Sequence, residues 1–562
     1  MTDFLITRCK RFSTVDCFWK ETARFFDYRV FIGEKKANTS HYKFENEKYY
    51  VFFSGLLFDG ELLFKKYNGS CKFLKMYCKY GFEYLSEISG SFSGFVFDKH
   101  DKELFVFSDF IGTKPVYYGG DEKRFVASNS FSMLREFNRY ADAGLLEISN
   151  RGAYSLLSYG YSLAGETIYK NLNIIYPGCL LKIRNSTVSE CVFYKLSNKP
   201  DYSISREDAI EVIDEYFCAA IDQQFEHDIS LGKKHLVGLS GGLDSRMVSM
   251  VAHKRGYMDQ TNFTFSQSDY LDETIAKKIA ADLGHDWIFK ALDNGSFLKH
   301  VDEVTSFSGG NVLVFGLAHG HSFYRLLDFD SFGLLHTGQL GDVVLGTYYN
   351  DRNFSKNISK GDGAFSDEFS HHIELDTDLY PNQEIFNFYN RGFSGINKGL
   401  LPINQRTETF SPFYNREFLE NSLKIPPELR FGHSLYKDWI MTKHPESAAY
   451  IWEKTGSSLS TRTYSFKNKS YTLKQWINIF LYKMAGVQFR GMHTKNHMNP
   501  IDYWLSEKKY LSEFVGNYYN ENIHLVRDEN LKNDVSRLFH DYGGIEKIQV
   551  LSLLSSFRAI DN

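Results

Sequence analysis

The chain has 562 residues, 43% hydrophobic and 24% charged, which suits a folded soluble protein and excludes a disordered or collagen-like one. Lys and Arg number 65 against 69 Asp and Glu, a net charge of −4, so no electrostatic argument points to nucleic acid as the main partner. The longest apolar runs, such as Tyr49–Phe53 and Leu313–Leu317, fall far short of the ~20 residues needed to cross a bilayer, and no membrane partner is expected.

At this length, roughly three to four domains or two large ones are expected. Aromatic residues at 17% fit a generous core. The opening MTDFLITRCKRF has one short apolar stretch, so no signal peptide is expected. Seven cysteines, all within the first 218 residues and none in a C-x-x-C pair, read as free thiols of a cytoplasmic protein.

Residues 1–197 read as short aromatic-rich strands, among them Lys48–Phe53, Ser91–Phe97 and Leu104–Phe107. Within Ser89–Gly119 a His100-Asp101 turn joins two strands, and a Gly112-Thr113-Lys114-Pro115 turn follows. Leu196–Ser205 is polar and aperiodic, which places a linker there. From Arg206 the texture changes. Ser205 caps a helix running to about Phe225, with Asp208 in its first turn. Strands His235–Leu239, Thr261–Phe265 and Trp287–Ala291 alternate with helices Arg246–Lys254 and Asp272–Leu283. That order predicts a parallel sheet with helices on both faces. Ile275, Ile279 and Leu283 share one face of the second helix, and Gly284 is its stop. The tail from Tyr464 reads as helical and carries no motif.

The segment with the clearest chemistry is His235–Ser245, HLVGLSGGLDS. A strand feeds a tight turn that opens a helix. The two glycines admit a ligand close to the backbone, and the helix N-terminus favours an anion there. Ser240 and Ser245 add hydroxyls. Asp244 repels phosphate directly and makes sense as a holder of a divalent cation that bridges phosphates. An acid in a first helical turn is also favourable by itself.

This string resembles the pyrophosphate loop of the N-type ATP pyrophosphatases, and downstream residues narrow the resemblance to the asparagine synthetase family. Asn262–Trp287 looks like that family's second strand and helix. HTGQLGDVVLGTY (His336–Tyr348) resembles its second phosphate segment, in which Thr337, Gly338 and Asp342 fit. Arg406–Ile440 carries its Pro-Phe and Pro-Pro-Glu-Leu landmarks. Ser89–Gly119, Phe125–Leu134 and Glu166–Ile183 resemble the glutamine amidotransferase domain found with it. The fold implied is α/β and multidomain. An N-terminal α+β Ntn-hydrolase-like sandwich (1–197) is followed by a parallel-sheet ATP-pyrophosphatase domain with a largely helical tail (206–562).

The resemblance implies an ATP-dependent ligase with ATP and Mg²⁺ as cofactors. Ser240, Gly241, Gly242, Ser245, Thr337 and Gly338 would hold the phosphates. Asp244 and Asp342 would hold the metal, and Lys454 would stand by the α-phosphate, with Lys437, Lys474 and Lys483 as nearby alternatives. Adenine would sit against the strand ending at Phe265. Asp272 and Glu273 read as helix-starting acids. His319, His321 and His336 read as hydrogen-bonding helpers, since no Asp/His/Cys spacing suggests zinc.

Three departures qualify the resemblance. Active glutaminase domains of this class begin Met-Cys, whereas Met1-Thr2 stands here, and Cys9 lies too far along to replace that nucleophile. The family's Asn-Gly-Glu segment reads Ser54-Gly55-Leu56, and leucine cannot accept an α-ammonium group. Gln339 and Val343 replace acids of the second phosphate segment, and an amide is no general base. The expected partners are therefore a small-molecule or peptide carboxylate and ammonia or another amine. A homodimer is left open. The alternatives are an intramolecular amide cyclase of the β-lactam or lasso-peptide type and a nucleotide-binding pseudoenzyme.

Overall fold

The computed structural model describes residues 2–10, 12, 19–33, 39–185, 187–354, 357–359, 361–366, 368–466, 469–485 and 492–561. The side chains of 463, 465–466, 469–470, 474, 478, 482–485 and 561 are not described. Among the described residues no helix is long and apolar enough to cross a membrane.

The strands before Leu196 build two antiparallel six-stranded sheets. Tyr49–Leu57 and Gly90–Asp98 lie side by side in the middle of one of them, and every residue of both is buried. Period-two alternation explains their near-continuous apolar sequence. Tyr50, Phe52, Phe95 and Phe97 pack with Phe4, Ile6 and Val30 of the other sheet. Val51, Phe53, Val96 and Phe107 share a second core with the helix Lys72–Tyr80 and with the 206–452 region.

Ser205 caps its helix as the sequence predicts, Asp208 completes a capping box, and the helix runs past Phe225 to Ser230. A five-stranded parallel sheet follows. Its order in space is Asp286–Ala291, Gln260–Ser266, Lys234–Gly238, Phe332–His336, Thr409–Phe410. Helix Leu271–Leu283 ends at Gly284 in the left-handed conformation. The tail adds a hairpin, Thr463–Phe466 with Lys469–Thr472, and helices that begin at Leu473, Ile501, Lys509, Glu529 and Gly544. Trp504, Leu551 and Leu554 share one core with Phe131 and Leu156 of the N-terminal region and with Val304 and Leu317. The tail is thus a clamp over both halves. Lys114 adds a buried cross-link, with Nζ 2.8 Å from Glu408 Oε2 and 2.9 Å from Asn404 Oδ1.

Candidate active site

Two loops leave the carboxyl ends of adjacent central strands, where open parallel sheets bind ligands. Val237 pairs with His336, so Ser240–Ser245 and Thr337–Asp342 emerge side by side. Gly242 is the N-cap of helix Leu243–Lys254, which puts Asp244 in its first turn. The second loop presses against the first, and glycine permits it. A Cβ on Gly338 would stand 2.5 Å from the Ser245 nitrogen, and one on Gly341 2.6 Å from Asp244 Cγ.

Asp244 and Asp342 meet here. The Asp342 N–H donates to Asp244 Oδ2 at 3.0 Å, and the Tyr436 hydroxyl donates to Oδ1 at 2.9 Å. Burial, then the charge of Asp342, pushes the Asp244 carboxyl well above its ordinary range. The Asp342 carboxylate opens on the cleft, yet protein surrounds it closely enough for burial to raise its pKa, against Lys454 and Arg391. Two carboxylates that repel in this way form a hard oxygen donor pair suited to a divalent cation.

The loop is shaped by its own donors. The Ser240 N–H donates to Ser245 Oγ at 3.0 Å, the Gly242 N–H to Ser240 Oγ at 3.2 Å, and the Gly241 N–H to Asp272 Oδ1 at 2.8 Å. The Gly241 donor expected for phosphate is thus taken by Asp272. The first-turn N–H groups of Leu243, Asp244 and Ser245 are the ones that helix geometry leaves without an intrahelical acceptor.

Fully buried Arg246 donates to the Gly241 carbonyl at 3.0 Å and to the carbonyls of Ser447 and Tyr450, both at 3.3 Å. The Glu453 N–H reaches the Gly241 carbonyl at 3.3 Å. This stitching brings exposed Lys454 to the site. Its ammonium lies 5.5 Å from the Trp452 ring, with Lys437 at 5.9 Å from the same ring. Burial, then Lys454, lowers the Lys437 pKa. The side chains of Lys474 and Lys483 lie outside the described residues. Sequence reasoning missed Arg246 and Glu453 as loop supports and read Asp272 chiefly as a helix start. For Arg246 and Asp272, a charged residue on a buried helix face was the available signal.

Thr337 is buried, with its N–H on the Phe410 carbonyl at 3.0 Å. Phe265, next to last in the neighbouring strand Gln260–Ser266, is half-buried, its ring 5.0 Å from that of His319. Leu340 and Thr347 bracket the helix Gly341–Gly346 at φ of 69° and 75°. Positive φ at a β-branched residue costs on the order of 1–3 kcal/mol and persists only where its surroundings enforce it. The enforcing group is a buried fork: Arg430 Nη1 and Nη2 on Glu384 Oε1 and Oε2 at 2.9 and 3.0 Å, with Nη1 also on the Val344 carbonyl at 3.1 Å. The Thr347 hydroxyl donates to Glu384 as well.

Beneath the loops, buried Asp228 Oδ2 lies 2.9 Å from His235 Nδ1 and 2.7 Å from His336 Nε2. Those separations are hydrogen-bond lengths, and both imidazoles share one oxygen. His336 is therefore a strut under the second loop. His321 Nε2 lies 3.0 Å from Glu303, and His319 Nδ1 lies 2.7 Å from the Phe315 carbonyl.

The corresponding place in the N-terminal region has a different character. Thr2 is buried, with Oγ1 3.5 Å from His41 Nδ1. Ser54 donates to the Thr2 carbonyl at 2.5 Å, so its hydroxyl braces backbone. Leu56 is buried in the core beside Phe53 and Phe92. Cys9 packs in the core with Phe12 and Phe31.

The family described as "Glutamine amidotransferase domain" matches residues 60–194, and "Asparagine synthase" matches residues 213–360. The chain is thus similar to the asparagine synthetase family in two separate stretches. Among similar proteins is asparagine synthetase [glutamine-hydrolyzing] 1 of Bacillus subtilis. It is 24% identical over 275 residues, which cover 46% of this chain and 42% of that protein. Putative asparagine synthetase [glutamine-hydrolyzing] 2 of Methanocaldococcus jannaschii is 29% identical over 238 residues, covering 39% and 43%. The matches therefore span less than half the length of either relative. Among solved structures, a glutamine phosphoribosylpyrophosphate amidotransferase from B. subtilis aligns over 46% of this chain and 51% of its own, at 11% identity and a TM-score of 0.20.

Proposed function

We propose that this chain is an AMP-forming amide ligase, with a synthetase half (206–562) that works and an amidotransferase-like half (1–197) that does not hydrolyse glutamine. The observation that carries the reading is the Asp244–Asp342 pair at the carboxyl ends of two neighbouring parallel strands. In this reading a substrate carboxylate oxygen attacks the α-phosphorus of ATP, forms the acyl-adenylate and displaces pyrophosphate. An amine or ammonia nitrogen then attacks the acyl carbon, the C–N bond forms, AMP leaves, and the nitrogen gives up a proton.

Ser240, Ser245 and the first-turn N–H groups of the helix would cradle the pyrophosphate, with Gly241, Gly242, Thr337 and Gly338 keeping the loops close. Asp244 and Asp342 would hold Mg²⁺, which when bound neutralises charge on the phosphates. Lys454 would place a compact positive charge beside them. Phe265 would flank the adenine. With Gln339 where the family has an acid, no carboxylate stands there to take the amine proton.

The test is product identity. ATP, Mg²⁺, a carboxylate and ammonium should yield AMP and pyrophosphate, whereas release of ADP and phosphate would refute the reading.

A further inference from the structure

A pocket of about 460 Å³ lies on the far side of the turn that supports the second phosphate loop. That turn, Phe388–Gly395, is a π-helix, a geometry frequent at functional sites. On one side its Gly392 faces the loop, since a Cβ there would lie 3.5 Å from the Tyr348 hydroxyl and 3.6 Å from Leu340. On the other side Arg391 and Gly395 line the pocket. Its walls are apolar and come from three parts of the chain: Leu313 and Phe315, Phe365, and Ile548 of the last helix. Arg391 is exposed, and among the described residues its guanidinium has no hydrogen bond or ion pair. Gln549 is buried and also lines the pocket. Its amide nitrogen donates to the Leu157 carbonyl at 3.0 Å, while its Oε1 has no partner. The lining contains no Asp or Glu.

We propose that this pocket selects the acid substrate, and that the acid is an apolar monocarboxylate rather than an α-amino acid. An apolar body fills the cavity, Arg391 takes the carboxylate at the rim, and Gln549 Oε1 accepts one hydrogen bond from a hydroxyl or amide N–H on that body. Aspartate is excluded by chemistry. Its α-ammonium group would need a carboxylate, and an unpaired charge in an apolar pocket is strongly unfavourable. Arg391 directly precedes Gly392, the residue of the same turn that abuts Leu340, so the carboxylate end lies on the rim next to the second loop. The inference rests on the ligase reading, so its test separates the two.

Calorimetric binding to the full chain without ATP uses 4-phenylbutyrate, 4-(4-hydroxyphenyl)butyrate and L-aspartate. AMP release is measured with the same acids plus ammonium. The phenyl acids should bind and support AMP release, and aspartate should do neither. Arg391→Gln should weaken the phenyl acids at least tenfold while leaving ATP binding intact. The added hydroxyl should strengthen binding about fivefold, a gain that Gln549→Leu erases. Phenyl acids that bind in an Arg391-dependent way without any AMP would uphold the pocket and sink the ligase. AMP from aspartate, unchanged by Arg391→Gln, would uphold the ligase and overturn the pocket, as would phenyl acids that fail to bind.

Discussion

The two halves resemble the asparagine synthetase family in different ways. In the N-terminal half the sandwich is intact, while Thr2 sets its hydroxyl 3.5 Å from His41 Nδ1, Ser54 braces the Thr2 carbonyl, and Leu56 lies in the core. In the second half Asp244 and Asp342 meet between two loops held by buried supports, although Gln339 and Val343 stand where the resemblance leads one to expect acids. The contrast teaches that a fold is held by parts other than its chemistry. Tyr50, Phe52, Phe95 and Phe97 hold the sandwich whatever stands at residue 2. The Ser240–Ser245 and Thr337–Asp342 loops instead rest on buried charges: Arg246, Asp272, Asp228 and the Arg430–Glu384 fork.

The sharpest way to break this contrast is Arg430→Met. It leaves Glu384 charged and buried, and removing one partner of a buried pair costs about 3–5 kcal/mol. Chemical unfolding should show that loss at neutral pH. Burial raises the Glu384 pKa, but Arg430 outweighs it and holds the carboxyl below its ordinary 4.5. A depressed folded pKa gives stability that is complete above the ordinary value and is lost as pH falls through the folded one. The gap between wild type and variant should therefore narrow below pH 4.5. A constant gap across pH would show that lost packing, not charge, explains the cost.

Next in size is Asp244→Asn. AMP release should fall on the order of 100-fold or more, as when one preorganised electrostatic group is removed. Without metal, the same variant relieves the repulsion from Asp342, so its melting temperature should rise, by roughly 2 °C if the relief is about 1 kcal/mol. Unchanged turnover would remove Asp244 from the site.

The smallest expected effect is at Thr2. Thr2→Ala should leave ammonium-supported AMP release within about twofold, the change expected of a group outside the reaction. A large loss would return the N-terminal half to the chemistry.

Much of this was legible in the sequence. Period-two apolar runs, the Ser205 cap, and Ile275, Ile279 and Leu283 on one face fix their elements through local rules. Ser240–Ser245 was legible because glycine, hydroxyl and acid sit together at a strand–helix junction. The supports were not. Arg246, Glu384 and Arg430 matter through partners far along the chain, and sequence spacing does not report such pairings. The tail was legible as helical, but its packing was not, for a related reason. Trp504 and Leu551 find their neighbours in residues far upstream, so no local pattern announces the clamp they form.

The central claim is tested most directly by following α-labelled ATP with Mg²⁺ and an apolar carboxylate, in parallel tubes containing ammonium or glutamine. The account predicts AMP with ammonium, none above background with glutamine alone, and none in either tube for Asp244→Ala. AMP from glutamine alone, or AMP that survives Asp244→Ala, would contradict it.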